Sequence, residues 1–390
     1  MNKTLTVSRA TAGFIQRGHP WVRPDRFTVG LDRLAPGQVI DLADDSGKPM
    51  ATALADPGNE ICARVFDFKS GQIFHPPTAI DRAWRRRGSL NNDPKTDSYR
   101  VVHGEADGLP GFRVERYGNV LVVLILADCA LPHGPAVCAA LHTHLPGARI
   151  VLRQHTEDLR KTATAAQLWT PKGLVALPPA ETTVAAKELG VTYQVRPFAG
   201  LATGLYVDQR ATRVWLKPFV KGKRVLNLFA YTGAFSLAAL AGGAASAIDV
   251  DLAGPSLAIA VETAKANGLD DGHSVIQGDC RAVLKDLNES FDIIICDPPT
   301  AAQGGDGWVA RRDYPDLLKL AWTKLSPGGL LVAASNTIHG KPLALKDWVA
   351  ACGTDGEAVT APGLGSDLPQ LPAFPEGRPF QLSTRRRTDK

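Results

Sequence analysis

Phe291-Asp-Ile-Ile-Ile-Cys-Asp297-Pro298-Pro299-Thr300 decides how this chain is read. The apolar run Ile293 to Cys296 predicts a strand covered on both faces, as in the middle of a parallel sheet. Proline cannot donate to a ladder, so the strand has to stop at Pro298. The chain then leaves the carboxyl edge of the sheet, where open α/β folds bind ligands. The two prolines stiffen the turn and leave its carbonyls without local N–H competitors. An Asp carboxylate beside such carbonyls can accept from the amino or ring N–H of a planar base. That suits methyl transfer to a nucleobase, in which the acceptor is held in line with a sulfonium methyl.

Around that stretch, from about residue 196, strand and helix alternate in the manner of a parallel sheet. Strands are predicted at Arg224–Phe229, Ala245–Val250, Ser274–Gln277, Phe291–Cys296 and Leu330–Ala334, and helices at Pro255–Asn267 and Tyr314–Lys324. The first strand runs into Asn227-Leu-Phe229-Ala-Tyr231-Thr232-Gly233, whose one glycine lets backbone approach a ligand at the next helix start. A GxGxxG cradle for pyrophosphate is absent, which argues against NAD and FAD. A ligand with ribose and no phosphate fits instead: S-adenosylmethionine. Asp251, 18 residues after Gly233, is placed for the ribose hydroxyls, with Asp249 on the same strand face as its competitor. Asp279, after the third strand, is placed to accept from the adenine amino group. Ser326-Pro-Gly-Gly329 turns into the fifth strand, whose end, Ser335-Asn336, falls beside the Asp297 loop.

The 390 residues suffice for two or three cores, and 44% apolar content with 37 Gly and 28 Pro suits a loop-rich α/β protein. No apolar run reaches the length of a membrane span, and the N-terminus lacks the apolar core of a signal peptide. Six cysteines without a CxxC pair argue against disulfides and thiolate zinc, and predict reduced thiols in the cytoplasm. His142-Thr-His144 reads as helix surface rather than a metal site. The net charge of +5 is mild, but six Lys/Arg fall within residues 81–100, and Arg385-Arg386-Arg387 lies near the end. Such clusters meet phosphates or form solvated faces. The predicted organisation is a small β-rich unit over 1–75, a basic helix and linker over 76–97, a small α+β unit over 98–195 and the alternating domain over 196–390.

The order of motifs resembles the class I S-adenosylmethionine-dependent methyltransferases of bacterial 23S rRNA that carry an N-terminal PUA domain, over essentially the whole length. Besides the stretches above, the resemblance rests on Gly18-His-Pro-Trp21-Val, Ile61-Cys-Ala-Arg64-Val-Phe, Tyr99-Arg100-Val-Val, Glu105-Ala-Asp107-Gly108-Leu-Pro-Gly111 and Phe374-Pro-Glu376-Gly377. Thr203-Gly204-Leu-Tyr206-Val-Asp208-Gln209-Arg210 is specific to this group. The resemblance implies an α/β fold: a Rossmann-like methyltransferase domain preceded by a PUA-like RNA-binding domain and a small α+β middle domain. It also implies that Asp208, Gln209 and Arg210 border the cofactor pocket, and that 23S rRNA or a large-subunit precursor is the partner. A homodimer stays open.

The chain departs from its best-known relatives, which methylate cytosine carbon 5. That carbon is a poor nucleophile and is activated by addition of a cysteine thiolate to the neighbouring ring carbon. In those relatives the cysteine follows a serine at the end of strand five; here Asn336 holds the place, and an amide cannot add. Cys296 and Cys280 are the nearest thiols in sequence. Asp-Pro-Pro-Thr with Ser-Asn more closely resembles the 23S rRNA methyltransferases of a guanine ring nitrogen, which has its own lone pair. Asp297, Pro298, Pro299 and Asn336 are thus expected to hold the base for direct transfer to nitrogen, with Asp297 also at the cofactor pocket; methylation of cytosine carbon 5, or an RNA-binding assembly role with a silent methyltransferase domain, stays open as the alternative. The aromatic residue that often follows the prolines is Ala301 here, which leaves Trp308 and Tyr314 as candidates to stack on a flipped base.

Overall fold

Strand and helix alternation from Arg224 onward builds one seven-stranded sheet. Its strands are β1 (Arg224–Leu228), β2 (Ser246–Asp251), β3 (His273–Gln277), β4 (Phe291–Cys296), β5 (Leu325–Ser335), β6 (Gly356–Ala358) and β7 (Gln381–Arg387). The spatial order is β3-β2-β1-β4-β5-β7-β6. The first five are parallel, and β7 runs antiparallel to both its neighbours. The order reverses between β1 and β4, which makes their carboxyl ends the topological switch point. Leu228 lies opposite both Val250 and Cys296, so the loops leaving β1, β2 and β4 start side by side. This computed structural model describes residues 2–156, 166–177, 183–198, 203–302, 307–336, 341–353 and 355–388.

The predicted strands agree with the observed ones to within a residue or two, except β5. It begins at Leu325 because the ladder shifts between Phe291 and Ile293, absorbing Ser326-Pro-Gly-Gly329 into the strand. The helix expected from Tyr314 starts earlier, at Ala310, and runs to Thr323 with Pro315 inside it. Pro315 is the sixth residue of this helix, past its first turn, and its missing N–H leaves the Arg311 carbonyl without the usual intrahelical donor. This helix packs Leu317, Leu318, Ala321 and Trp322 against Ile294, Leu331 and Leu226. The opposite face of the sheet packs Val225, Ile293, Ile295 and Val332 against Phe235, Ala239 and Leu240 of the helix Ala234–Ala241. Both faces are covered, as the continuous apolar runs require.

Two units divide the chain. The sheet above belongs to the unit formed by Lys187–Val195, Gly204–Leu364 and Arg378–Lys390. The other comprises Met1–Ala186, Arg196–Thr203 and Gly365–Gly377. This second unit holds a five-stranded sheet built from residues 3–67 and a six-stranded sheet built from residues 98–176. Helices Pro76–Arg86 and Gly134–His144 contribute Ile80, Ala83, Val137 and Leu141 to the core of the six-stranded sheet. No helix among the described residues is long and apolar enough to cross a membrane.

Several residues read as surface charge are structural. Arg87 is fully buried and donates to both Asp107 carboxylate oxygens at 2.7 Å and to the carbonyls of Ala83, Arg100 and Asp367. Around it the unit's motifs converge: Trp21 donates to Glu105 at 2.9 Å, Arg64 bridges Glu105 and Asp56, and Phe374 packs edge-on against Trp21. In the sheet unit, Arg385, Arg386 and Arg387 lie on β7 rather than on a solvated helix face. They donate to the carbonyls of Gly353, Gly328 and Leu325, and Arg387 also pairs with Asp355.

Candidate active site

The loop leaving β1 is held in an unusual backbone. Phe229 and Tyr231 adopt φ of 57° and 53°, and Gly233 adopts 73°. Left-handed backbone costs a non-glycine residue roughly 1–2 kcal/mol, so the surroundings have to impose it. The Ala230 N–H donates to the Val250 carbonyl at 3.1 Å, and the Tyr231 N–H to Asp251 Oδ2 at 2.8 Å. The Phe229 N–H donates to Cys280 Sγ at 3.4 Å, and the Thr232 hydroxyl to the Gly204 carbonyl at 2.6 Å. Under the loop, Asp249 is wholly buried. It accepts from Asn227 at 2.8 Å and from Ser236, and its other oxygen lies 2.8 Å from His273 Nε2. A Cβ on Gly233 would lie 2.3 Å from that carboxylate oxygen and 3.0 Å from Ala260 Cβ. Asp249 and Asn227 therefore frame the loop from below, which separates Asp249 from its competitor Asp251.

Asp251 is half-buried at the end of β2 and accepts the N–H groups of Tyr231 and Ala253, both at 2.8 Å. Leu252 follows it with 49% of its surface exposed. Asp279 caps the helix Cys280–Asp286, accepting from the Arg281 N–H at 2.8 Å, and its carboxylate is paired with the Arg281 guanidinium. The Arg281 bonds hold Asp279 below the usual carboxylate range. These acids succeed one another at neighbouring strand ends.

At the switch point, Asp297 follows Cys296, and burial pushes its carboxyl up to about 7, with the charge of Asp208 adding to the rise. Arg213 and a 3.3 Å hydrogen bond from Gln209 act the other way. The Thr300 hydroxyl donates to Asn336 Oδ1 at 3.0 Å, which brings the Asp-Pro-Pro-Thr turn against the end of β5. Pro299 presents its carbonyl to the Trp308 indole N–H at 2.8 Å. Trp308 is 4% exposed and packs on Phe229. The Tyr314 hydroxyl, fully buried, spans the carbonyls of Cys296 and Ala334 at 2.7 and 2.9 Å. Both rings are thus core supports of the turn and neither presents a face to a base. Pro298 is buried and Pro299 exposed.

All six cysteines are buried. Cys280 is pushed up to about 12 by burial, and Cys296 well above its ordinary value by the same cause, so neither offers a thiolate. In the segment before the sheet, Gln209 is 3% and Arg210 8% exposed, while Asp208 is half-buried. Arg213 forms a buried pair with Glu188 and donates to the Tyr206 carbonyl at 2.9 Å. Tyr206 itself is 53% exposed and lies 5.4 Å from the Tyr231 ring. Leu252 escaped the reading of the sequence, and Tyr206 entered it only as part of a motif. An apolar residue immediately after a strand-end acid was the available signal for Leu252.

The donor set has a definite chemistry. Three carboxylates at the ends of β2, β3 and β4 suit a ligand that brings hydroxyl, amino and cationic groups, and they disfavour phosphates. The space on the inner side of Gly233 is filled by Asp249, so the loop opens only outward. The residues present fit S-adenosylmethionine.

Comparison with known proteins agrees. Residues 174–358 match the S-adenosylmethionine-dependent methyltransferase family, and residues 5–68 a PUA-like domain. The chain is 32% identical to the ribosomal RNA large subunit methyltransferase I of Cronobacter sakazakii, over 97% of each chain. It is 31% identical, over the same shares, to the protein of that name from Escherichia coli. A methyltransferase crystallised with SAH shares the fold at a TM-score of 0.84, with 24% identity over 98% of this chain and 100% of the other. A SAM-dependent methyltransferase from Streptococcus mutans does so at 0.82, with 23% identity over the same shares. At about a third identity over nearly the whole of both chains, the chain belongs to the ribosomal RNA large subunit methyltransferase I family of S-adenosylmethionine-dependent methyltransferases.

Proposed function

We propose that this protein methylates a base of large-subunit ribosomal RNA, 23S rRNA or its precursor, by direct transfer to a base nitrogen. The observation that carries this reading is the contact of Thr300 with Asn336 at the mouth of a site whose cysteines are all buried. Carbon 5 of cytosine needs a thiolate to raise its electron density, whereas a base nitrogen has a lone pair. The bound cofactor supplies an electrophilic methyl on a sulfonium. The chain's part is to hold and aim, and proximity then gives most of the acceleration.

In this reading Asp251 accepts the ribose hydroxyls, Leu252 covers the adenine and Asp279 receives its amino group. The Phe229–Gly233 loop holds the remainder. Asp297 accepts an N–H of the base, and Asn336 donates: Thr300 engages its carbonyl oxygen and leaves both amide N–H groups available. An acceptor beside a donor matches a base edge that carries N–H next to a carbonyl. The PUA-like match at residues 5–68 supports an RNA partner.

The test incubates the protein with S-adenosylmethionine and unmodified 23S rRNA, digests the RNA and identifies the methylated nucleoside by mass spectrometry. An N-methylated nucleoside is expected from the natural sequence and none from Asp297→Ala, with cofactor binding retained. A 5-methylcytidine product would overturn the inference from Asn336, and label confined to a non-RNA fraction would overturn the substrate class.

A further inference from the structure

We propose that Gln209, anchored by Thr212, is the positioning residue that fixes the Asp297 carboxylate toward the base acceptor. The inference rests on the reading of Asp297 given above and gives Gln209 a duty apart from the cofactor pocket. The Thr212 hydroxyl donates to Gln209 Oε1 at 2.8 Å, and Gln209 Nε2 donates to Asp297 Oδ2 at 3.3 Å. Thr212 is 0% and Gln209 3% exposed, so the relay is sheltered from solvent up to the half-buried Asp297. This relay is the only hydrogen-bonded support of the Asp297 side chain among the described residues. Oδ2 is occupied from the side of the Arg210–Leu216 helix, while Oδ1 takes no hydrogen bond from a described residue.

An amide suits this place better than an acid or a cation. A carboxylate would repel Asp297, and an ammonium would hold it as a fixed ion pair. Glutamine presents N–H to the ionised carboxylate and, with its amide turned over, C=O to the protonated one. The Thr212 hydroxyl can donate or accept, so it anchors either orientation. Two further groups complete the surroundings: Asp208 and Arg213 act on Asp297 with opposite signs. Tyr314 and Cys296 lie behind it with their ionisations raised by burial and by Asp297 itself.

The test measures methyl transfer against pH for Gln209→Ala, Thr212→Val and Thr212→Ser, with cofactor affinity followed separately by calorimetry. Misplacing a group at the reacting centre costs on the order of ten- to a hundredfold. A fall in kcat of that size is expected for Gln209→Ala and Thr212→Val, with S-adenosylmethionine affinity unchanged. The pH profile of Gln209→Ala should also move upward, because a bond that favours the ionised carboxylate is gone. Thr212→Ser keeps the hydroxyl and should recover most of the rate. Unchanged kcat and pH profile in Gln209→Ala would overturn the relay, as would a loss arising only from weaker cofactor binding. Asp297→Ala separates the two claims. If it stays active, the reading of Asp297 fails; if it is inactive while Gln209→Ala is normal, only the relay fails.

Discussion

Replacing Gly233 with alanine tests how the cofactor loop is held. The residue adopts φ of 73°, and an added Cβ would meet Asp249 Oδ2 at 2.3 Å. The obstructing atom ends a side chain, but a short one, wholly buried and bonded to Asn227, Ser236 and His273. Moving it sacrifices at least one of these bonds, worth about 1–3 kcal/mol for a buried charged acceptor. The left-handed backbone adds about 1 kcal/mol. Together Gly233→Ala should cost about 2–4 kcal/mol, roughly thirtyfold to nearly a thousandfold in an equilibrium constant. Gly222 supplies the control: its φ is 70°, yet nothing lies within 4 Å of its Cβ position. Gly222→Ala therefore carries the backbone term alone, about 1 kcal/mol. Urea unfolding followed by circular dichroism gives both values, and calorimetry with S-adenosylmethionine shows whether the loss reaches the site. Equal losses in the two variants would refute the claim that Asp249 supports the loop.

Three more expectations can be checked directly. The carboxyl of Asp297 stands at about 7, above its usual value, so its contribution is complete below about pH 4 and is lost as pH rises through 7. Asp297→Asn should accordingly be more stable than the natural sequence at pH 8, on the order of 1–3 kcal/mol, and denaturation curves that stay parallel from pH 5 to pH 8 would contradict this. All six thiols should resist a thiol reagent in the native protein and react after denaturation, with methyl transfer surviving the treatment; inactivation on labelling of Cys280 would restore a covalent mechanism. Arg87→Met leaves the buried Asp107 without its two-pronged partner and should cost roughly 3–5 kcal/mol, whereas a change under 1 kcal/mol in thermal unfolding would show the pair to be dispensable.

The parallel sheet was legible because apolar runs such as Ile293 to Cys296 declare themselves locally, and the strand-end acids followed from the alternation. The role of Asp249 was not legible. Asp249 and Asp251 share a face of one strand, and only the packing of Gly233 and His273 separates a buried support from a half-buried acceptor. The C-terminal arginines read as surface charge because their partners, Gly328, Gly353 and Asp355, come from other parts of the fold. The same holds for Arg100, whose backbone N–H donates to Asp367 across 267 positions of sequence. Trp308 and Tyr314 looked available for stacking because an aromatic residue carries no mark of whether its face or its polar tip is in use. The tips were used, on Pro299, Cys296 and Ala334.

The excursion of Gly365–Gly377 out of the parallel-sheet unit has a consequence for biosynthesis. The chain passes between the two units five times, the last at residues 377 and 378. Among the described residues β6 has β7 as its sole neighbour in the sheet, and β7 lies after the excursion. During vectorial synthesis, then, β6 waits without a ladder, and the buried Arg87 guanidinium waits for the Asp367 carbonyl, until more than 360 residues have left the ribosome. The unit of the parallel sheet therefore receives its last strand only after every segment of the other unit has been synthesised.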